Sequence, residues 1–241
     1  MDIKRTIAVV TGSNRGIGRA LVAALLERGV ARVYATARRL TDLEPVVALD
    51  PRRVRALQLD VTNAGEIAVA AAAAQDVNLL FNNAGVLDFG GLLDVPAEAL
   101  RRNMDTNYYG TLHATRAFVP AIERNGGGAV VNVLTVVALA SMPGLGAYNA
   151  SKAASWSMTQ SLRADLSKRK IQVVGVFPGP VDTDMARGFD MPKTSPAEVA
   201  RAVLDGLETG AEDIFPDPMS KQVYAAWTAD HKAVERQFAA M

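Results

Sequence analysis

The chain contains no cysteine and only two histidines, His113 and His231. A disulfide framework is therefore excluded, and a zinc site built on two or more His or Cys ligands has too few candidates. Any redox chemistry is expected to use an organic cofactor. Charge of one sign is missing too. Lys and Arg total 26 against 25 Asp and Glu, a formal net charge of +1, so no global field draws the protein to nucleic acid or anionic lipid, while a small, locally charged ligand stays open. Long apolar runs are also lacking. The region 129–148 is interrupted by Asn132, Ser141, Pro143, Gly144 and Gly146, and so falls short of the roughly 18 uninterrupted residues of a spanning helix. The opening "MDIKRTIAVVTG" passes from charged residues into a short apolar run and a turn, without a signal-peptide cleavage pattern. A soluble, cytoplasmic protein is the expectation. No linker, repeat or composition shift divides the 241 residues, so residues 1–241 are expected to form a single domain.

Short β-branched runs recur along the chain: "TIAVVT" (6–11), "RVYATA" (32–37), "VRALQL" (54–59), "VNLLFN" (77–82), "AVVNVL" (129–134) and "IQVVGVF" (171–177). They are continuously apolar rather than alternating, and helical compositions separate most of them. That pattern predicts an α/β fold with a doubly wound parallel sheet, Rossmann-type, covered on both faces. Ile17, Leu21, Ala24 and Leu25 have helical spacing and run into Gly29 as a helix stop. "GEIAVAAAAAQ" (65–75) reads as a short crossover helix. Ser195 with Glu198 opens a capped helix over 195–210, and the stretch after Pro218 reads as one terminal helix of no legible function.

"TGSNRGIG" (11–18) follows the first strand and opens the first helix, with glycines at 12, 16 and 18. Glycine lets the backbone turn sharply and approach a pyrophosphate, and the helix N-terminus offers free N–H groups. A strand-to-helix glycine turn with no ligand has the same appearance, so this motif alone does not decide. It is not a P-loop, since no Gly-Lys-Ser/Thr follows. At the end of the second strand, where an NAD-preferring fold places an acid on the ribose, Ala37 and Arg38 stand instead. Arg38, together with Arg15 in the glycine-rich turn, suits a 2′-phosphate. NADP(H) is therefore the expected cofactor, while Arg39 reads as a surface residue.

Taken together and in order, Thr11 to Gly18, "NNAG" (82–85), Asn107, Tyr148 with Lys152, and "PGPVDT" (178–183) resemble the short-chain dehydrogenase/reductase family over nearly the whole chain. The turn and the length resemble its smaller, single-domain members. The resemblance implies that the cofactor lies along Gly12, Ser13, Asn14, Arg15, Gly16, Ile17 and Gly18, and that Asp60 and Val61 flank the adenine. It places Asn82, Asn83, Ala84 and Gly85 beside the cofactor, with Pro178, Gly179, Val181 and Thr183 at the nicotinamide end. It also implies that the carbonyl of Asn107 orders a proton-relay water, and that the protein assembles as a homodimer or homotetramer.

Tyr148 and Lys152, at i and i+4, share a helix face. One ammonium at about 5 Å in an effective dielectric of about 20 would lower a phenol pKa by roughly 2 units. The expected reaction is therefore reversible, metal-independent reduction of a small-molecule ketone or aldehyde to an alcohol, with Tyr148 as proton donor and Lys152 holding the nicotinamide ribose. The family's substrate-facing hydroxyl, normally Ser, falls thirteen residues before the tyrosine, which here is Thr135. Thr supplies the O–H and adds a methyl group. Ser141 is the competing hydroxyl, in a loop before Pro143. Met185, Phe189 and Met191 suggest an apolar-tolerant site. The alternative reading is a non-catalytic NADP(H)-sensing protein, which has no need of Asn107, Tyr148 and Lys152 together. A hydrolase is disfavoured by the lack of a G-x-S-x-G elbow.

Overall fold

The β-branched runs fold as the strands of one sheet in the computed structural model, which describes Met1–Met241. They are β1 (Ile7–Val10), β2 (Arg32–Ala37), β3 (Val54–Gln58), β4 (Leu79–Asn82), β5 (Gly128–Val133), β6 (Ile171–Val176) and β7 (Asp213–Ile214). All pairings are parallel, in the order β3-β2-β1-β4-β5-β6-β7. Representative register pairs are Val10 with Ala35, Val10 with Phe81 and Asn82 with Asn132.

Side chains alternate across a strand, yet both faces here are apolar. Ala8, Val10, Phe81, Val131 and Val174 enter one core, whereas Val9, Leu80, Val130 and Val173 enter the other. A sheet covered on both faces requires this and explains why the strands read as unbroken apolar runs. The edge strand β3 is fully buried only at Val54.

Helices close both faces. They are α1 (Gly16–Glu27), α2 (Glu44–Val47), α3 (Ala64–Ala73), α4 (Ala97–Asn103), α5 (Thr111–Arg124), α6 (Gly146–Leu166), α7 (Pro196–Thr209), α8 (Pro218–Ala229) and α9 (His231–Ala239). Leu21 and Leu25 of α1 pack with Val203 and Leu207 of α7 on one face, and Ile67 of α3 packs with Phe118 and Ile122 of α5 on the other. Gly29, at φ +78°, ends the first helical segment in the left-handed region that glycine tolerates. The Ser195–Glu198 capping box of α7 is formed in both directions.

Two features depart from the sequence reading. β7 is only two residues long and is held by its register with Gly175 and Val176 rather than by an apolar run. The stretch after Pro218 forms two helices instead of one, because Asp230 leaves helical geometry (φ −153°, ψ 93°) and caps α9 by accepting from the Ala233 N–H. No helix is long and apolar enough to cross a membrane.

Candidate active site

The strand order reverses between β1 and β4, and the carboxyl ends of these strands open a crevice. Thr11 and Asn83 lock it. The Thr11 hydroxyl donates to the Phe81 carbonyl (3.1 Å) and accepts from the N–H groups of Asn83 (2.9 Å) and Ala84 (3.0 Å). The Asn83 amide donates back to the carbonyls of Thr11 and Gly12. Gly12 and Gly16 have φ of +63° and +54°, and a Cβ on Gly12 would lie 3.0 Å from the Ala84 backbone. A Cβ on Gly18 would meet the Gly12 carbonyl at 2.3 Å. Glycine is required at all three positions, either by backbone conformation or by close approach.

A cavity of about 750 Å³ runs from this turn to Tyr148. Gly12, Asn14, Arg15, Gly16 and Ile17 line its first end, followed by Asp60, Val61 and Asn83 to Gly85. Pro178, Gly179, Val181 and Thr183 line its far side. Four residues assigned from the sequence lie outside the lining, among them Asn82, which is buried with its amide donating to Thr115 and Asn132. Ser13 is fully buried, with both its N–H and its hydroxyl tied to the Thr36 carbonyl. Gly18 packs beneath the turn, and Asn107 sits behind the wall.

The first turn of α1 has no side-chain cap, since Arg15 at its N-cap makes no such bond. Unoccupied N–H groups at a helix N-terminus, beside backbone that only glycine allows, are suited to a pyrophosphate. Arg38 lines the cavity and Ala37 stands beside it, while Arg39 is engaged with Asp42 (2.8 Å). Arg15 is not free: it pairs with Asp184 at 2.7 Å, and Asp184 also pairs with Arg187. The ion pair spans from the glycine-rich turn to the segment after Thr183, a link that spacing along the chain could not show. Asp60 accepts from the N–H and hydroxyl of Thr62 (2.9 and 2.7 Å), which fixes its carboxylate at the strand end.

At the other end, α6 presents Tyr148 and Lys152, both buried. The Lys152 ammonium donates to the Val133 carbonyl (2.7 Å) and lies 5.8 Å from the centre of the Tyr148 ring. Burial lowers the Lys152 pKa to about 8. The phenol does not show the depressed pKa expected from the lysine: burial pushes Tyr148 upward, and a hydrogen bond from the Thr135 hydroxyl acts in the opposite direction. Desolvation outweighs a cation directed at a backbone carbonyl.

Thr135 is 8% exposed and caps a short 3-10 turn, whereas Ser141 is exposed and outside the cavity. Asn107 lies in a π-helical segment, Met104–Gly110, a distortion frequent at functional sites. Its side chain accepts from the Val86 N–H (2.9 Å) and donates to the Val86 carbonyl and to Ser151 (both 2.9 Å). Its own carbonyl accepts from the Thr111 and Ser155 hydroxyls. The asparagine thus ties the strand-end turn to α6 one residue before Lys152.

Sequence reasoning missed the C-terminal contribution. Met219 of α8, Phe238 of α9 and Met241 line the cavity beside Met142 and Phe189. Val223, Val234 and Phe238 share one apolar cluster with Tyr148, so the α8–α9 pair belongs to the apolar surroundings of the phenol. No motif marks these positions, because apolar side chains on a helix look the same whether they line a core or a pocket.

This architecture has close relatives. A short-chain dehydrogenase from Burkholderia cenocepacia J2315, solved in complex with NADP, superposes with a TM-score of 0.93 at 40% identity over 99% of both chains. A short-chain dehydrogenase/reductase from Burkholderia phymatum, solved in complex with NAD, gives a TM-score of 0.87 at 25% identity over 98% of this chain and 96% of the other. An uncharacterized oxidoreductase of Staphylococcus aureus strain MW2 is 31% identical over 209 residues, covering 83% of this chain and 90% of the relative. Residues 6–193 match the short chain dehydrogenase family model. A family match over most of the chain, with relatives of 30% identity or more along most of their length, shows that the chain belongs to the short-chain dehydrogenase/reductase family of oxidoreductases.

Proposed function

We propose that the protein is an NADPH-dependent reductase of ketones and aldehydes, acting reversibly on the corresponding alcohols. The observation that carries this reading is the gathering of Thr135, Tyr148 and Lys152 on the lining of a single cavity whose other end is the uncapped, glycine-lined start of α1. When bound, reduced nicotinamide supplies a hydride. Gly12 and Asn14 to Ile17 hold the pyrophosphate, Asp60 and Val61 flank the adenine, and Pro178 to Thr183 hold the carboxamide end. Arg38 and, once released from Asp184, Arg15 bind the 2′-phosphate through charge-assisted hydrogen bonds. The relative solved with NADP and the relative solved with NAD show that the family accommodates both cofactors; Ala37 in place of an acid favours the phosphorylated one.

Tyr148 donates its proton to the carbonyl oxygen. Its raised pKa keeps the phenol protonated and able to donate at neutral pH. The Thr135 hydroxyl donates a second hydrogen bond to the same oxygen as negative charge develops there. Lys152 holds the ribose and contributes positive charge beside the phenol; Asn107 positions it through Ser151. The protein acts as a homodimer or homotetramer, which light scattering on the purified chain tests. Activity is tested by loss of reduced-nicotinamide absorbance against a panel of ketones and aldehydes with NADPH or NADH. Turnover with NADPH at lower KM than with NADH is expected. Cofactor binding without turnover of any carbonyl would leave only a sensor.

A further inference from the structure

One carboxylate in the molecule is buried without a cation. Asp217 is 1% exposed, and its carboxylate makes no ion pair. One oxygen accepts from the Gly179 N–H (2.8 Å) and the other from the Ser220 N–H (2.7 Å), while the Ser220 hydroxyl completes the cap of α8. A carboxylate at a helix N-terminus is stabilised by the helix dipole and by charge-assisted bonds. The bond from Gly179 reaches across to the segment at the nicotinamide end of the cavity. A Cβ on Gly179 would lie 3.0 Å from the Asp217 carboxylate and 3.2 Å from the Met219 sulfur, so the three residues are in direct packing.

Met219 and Phe238 line the cavity with Met142, Leu145 and Phe189, all of one apolar cluster. The cations that line the cavity are engaged or lie at the nucleotide end: Arg38 follows Ala37 at the end of β2, Arg15 is paired with Asp184, Arg101 with Glu98 and Arg102 with Asp88, and Lys152 is bonded to the Val133 carbonyl. Beyond Tyr148 the wall therefore offers thioether and aromatic surface and no partner for a substrate carboxylate. Thioethers adapt to varied apolar shapes, whereas burying an unpaired anion is strongly unfavourable.

We propose that Met219 and Phe238 form the substrate-selecting wall, held in register with the reacting centre by the Asp217 bridge to Gly179, and that this wall selects uncharged ketones and aldehydes with apolar substituents over carbonyl compounds bearing a carboxylate. The proposal rests on the reductase reading given above. Asp217 is a positioning residue; Met219 and Phe238 determine specificity.

Ethyl benzoylformate and benzoylformate share a reacting ketone and differ in one ester group, which makes them a matched pair. Their binding to the NADPH-loaded Tyr148→Phe protein is measured by calorimetry, so that affinity is read without turnover. The ester is expected to bind at least about thirtyfold more tightly than the keto acid. Met219→Ala and Phe238→Ala should each weaken ester binding about tenfold through lost apolar contact, with the NADPH affinity, read by its fluorescence, within about twofold. Asp217→Asn retains the side-chain shape and one acceptor oxygen, and should lower the ester-to-acid affinity ratio by about fivefold. A cap lost for stability alone would lower the melting temperature and leave that ratio unchanged, which would overturn the positioning role. Equal binding of ester and acid, or Ala variants with unaltered ester affinity, would overturn the wall. Turnover by the unsubstituted protein separates the two readings. Selective ester binding without reduction keeps the wall and removes the reductase; equal reduction of both carbonyls, with equal binding, keeps the reductase and removes the wall.

Discussion

The two ends of the cavity are built by opposite means. At the nucleotide end the backbone does the shaping: Gly12, Gly16 and Gly18 permit a turn that no other residue fits, and Thr11 and Asn83 lock it with main-chain hydrogen bonds. At the substrate end the side chains shape the wall, with Met142, Phe189, Met219 and Phe238 arriving from separate segments of the chain. A backbone-built site admits few residue types and binds one invariant ligand part. A side-chain-built site admits many, and can be retuned without disturbing the first. Thr135, Tyr148 and Lys152, the proposed reacting groups, stand where the two meet.

The largest expected effect tests that junction. Tyr148→Phe removes the proton donor and leaves the nucleotide end untouched, so kcat should fall by about 10³-fold while NADPH affinity stays within about twofold. Steady-state kinetics paired with cofactor fluorescence titration check it, and near-normal kcat would remove Tyr148 from its role. Next comes Thr135→Val, which keeps the approximate shape and deletes the O–H. A loss of about 10²-fold in kcat is expected, whereas Thr135→Ser should stay active and the exposed Ser141→Ala should change little. If the Ala variant were crippled and the Val variant active, the substrate-facing hydroxyl would be Ser141.

A smaller change is expected from the nucleotide end, where one side chain tunes a backbone-built site. Ala37→Asp supplies an acceptor for a ribose hydroxyl and repels a phosphate, so the ratio of KM for NADPH to KM for NADH should rise about tenfold. An unchanged ratio would mean that Arg38 and Arg15 do not read the phosphate.

The last test sharpens the comparison through stability in the absence of cofactor. Lys152 titrates near 8 in the folded protein against an ordinary 10.5, so the unfolded chain holds this proton more tightly. Below about pH 8 both states are charged, and the folded state carries the full cost of burial. As pH rises from about 8 toward 10 the cost is relieved, so the unsubstituted protein should gain stability relative to Lys152→Met, with a ceiling on the order of 3 kcal/mol. Above about pH 10 the relative gain levels off, while both proteins lose stability alike because the unfolded phenol ionises before the buried Tyr148, whose pKa is raised. Urea denaturation of both proteins across this range measures the difference; parallel stability curves would show that the lysine is not desolvated.

Much of the architecture was legible in the chain. Six of the seven strands coincide within a residue or two with apolar runs, because a sheet buried on both faces favours apolar residues on both sides of each strand. β7 escaped notice because two residues carry no pattern. The break between α8 and α9 was hidden for a similar reason: a single residue, Asp230, ends one helix and caps the next.

The sequence by itself determined the fold class, the glycine turn and the spacing of Thr135, Tyr148 and Lys152, since each depends on local backbone geometry or on helical periodicity. Only the tertiary structure decided that Arg15 is held by Asp184, that Tyr148 is raised rather than lowered in pKa, and that Met219 and Phe238 line the cavity while Asp217 bonds to Gly179. Those outcomes depend on which surfaces lie next to one another across separations such as the 169 residues from Arg15 to Asp184. Burial and charge pairing act through space, and no local pattern along the chain records them.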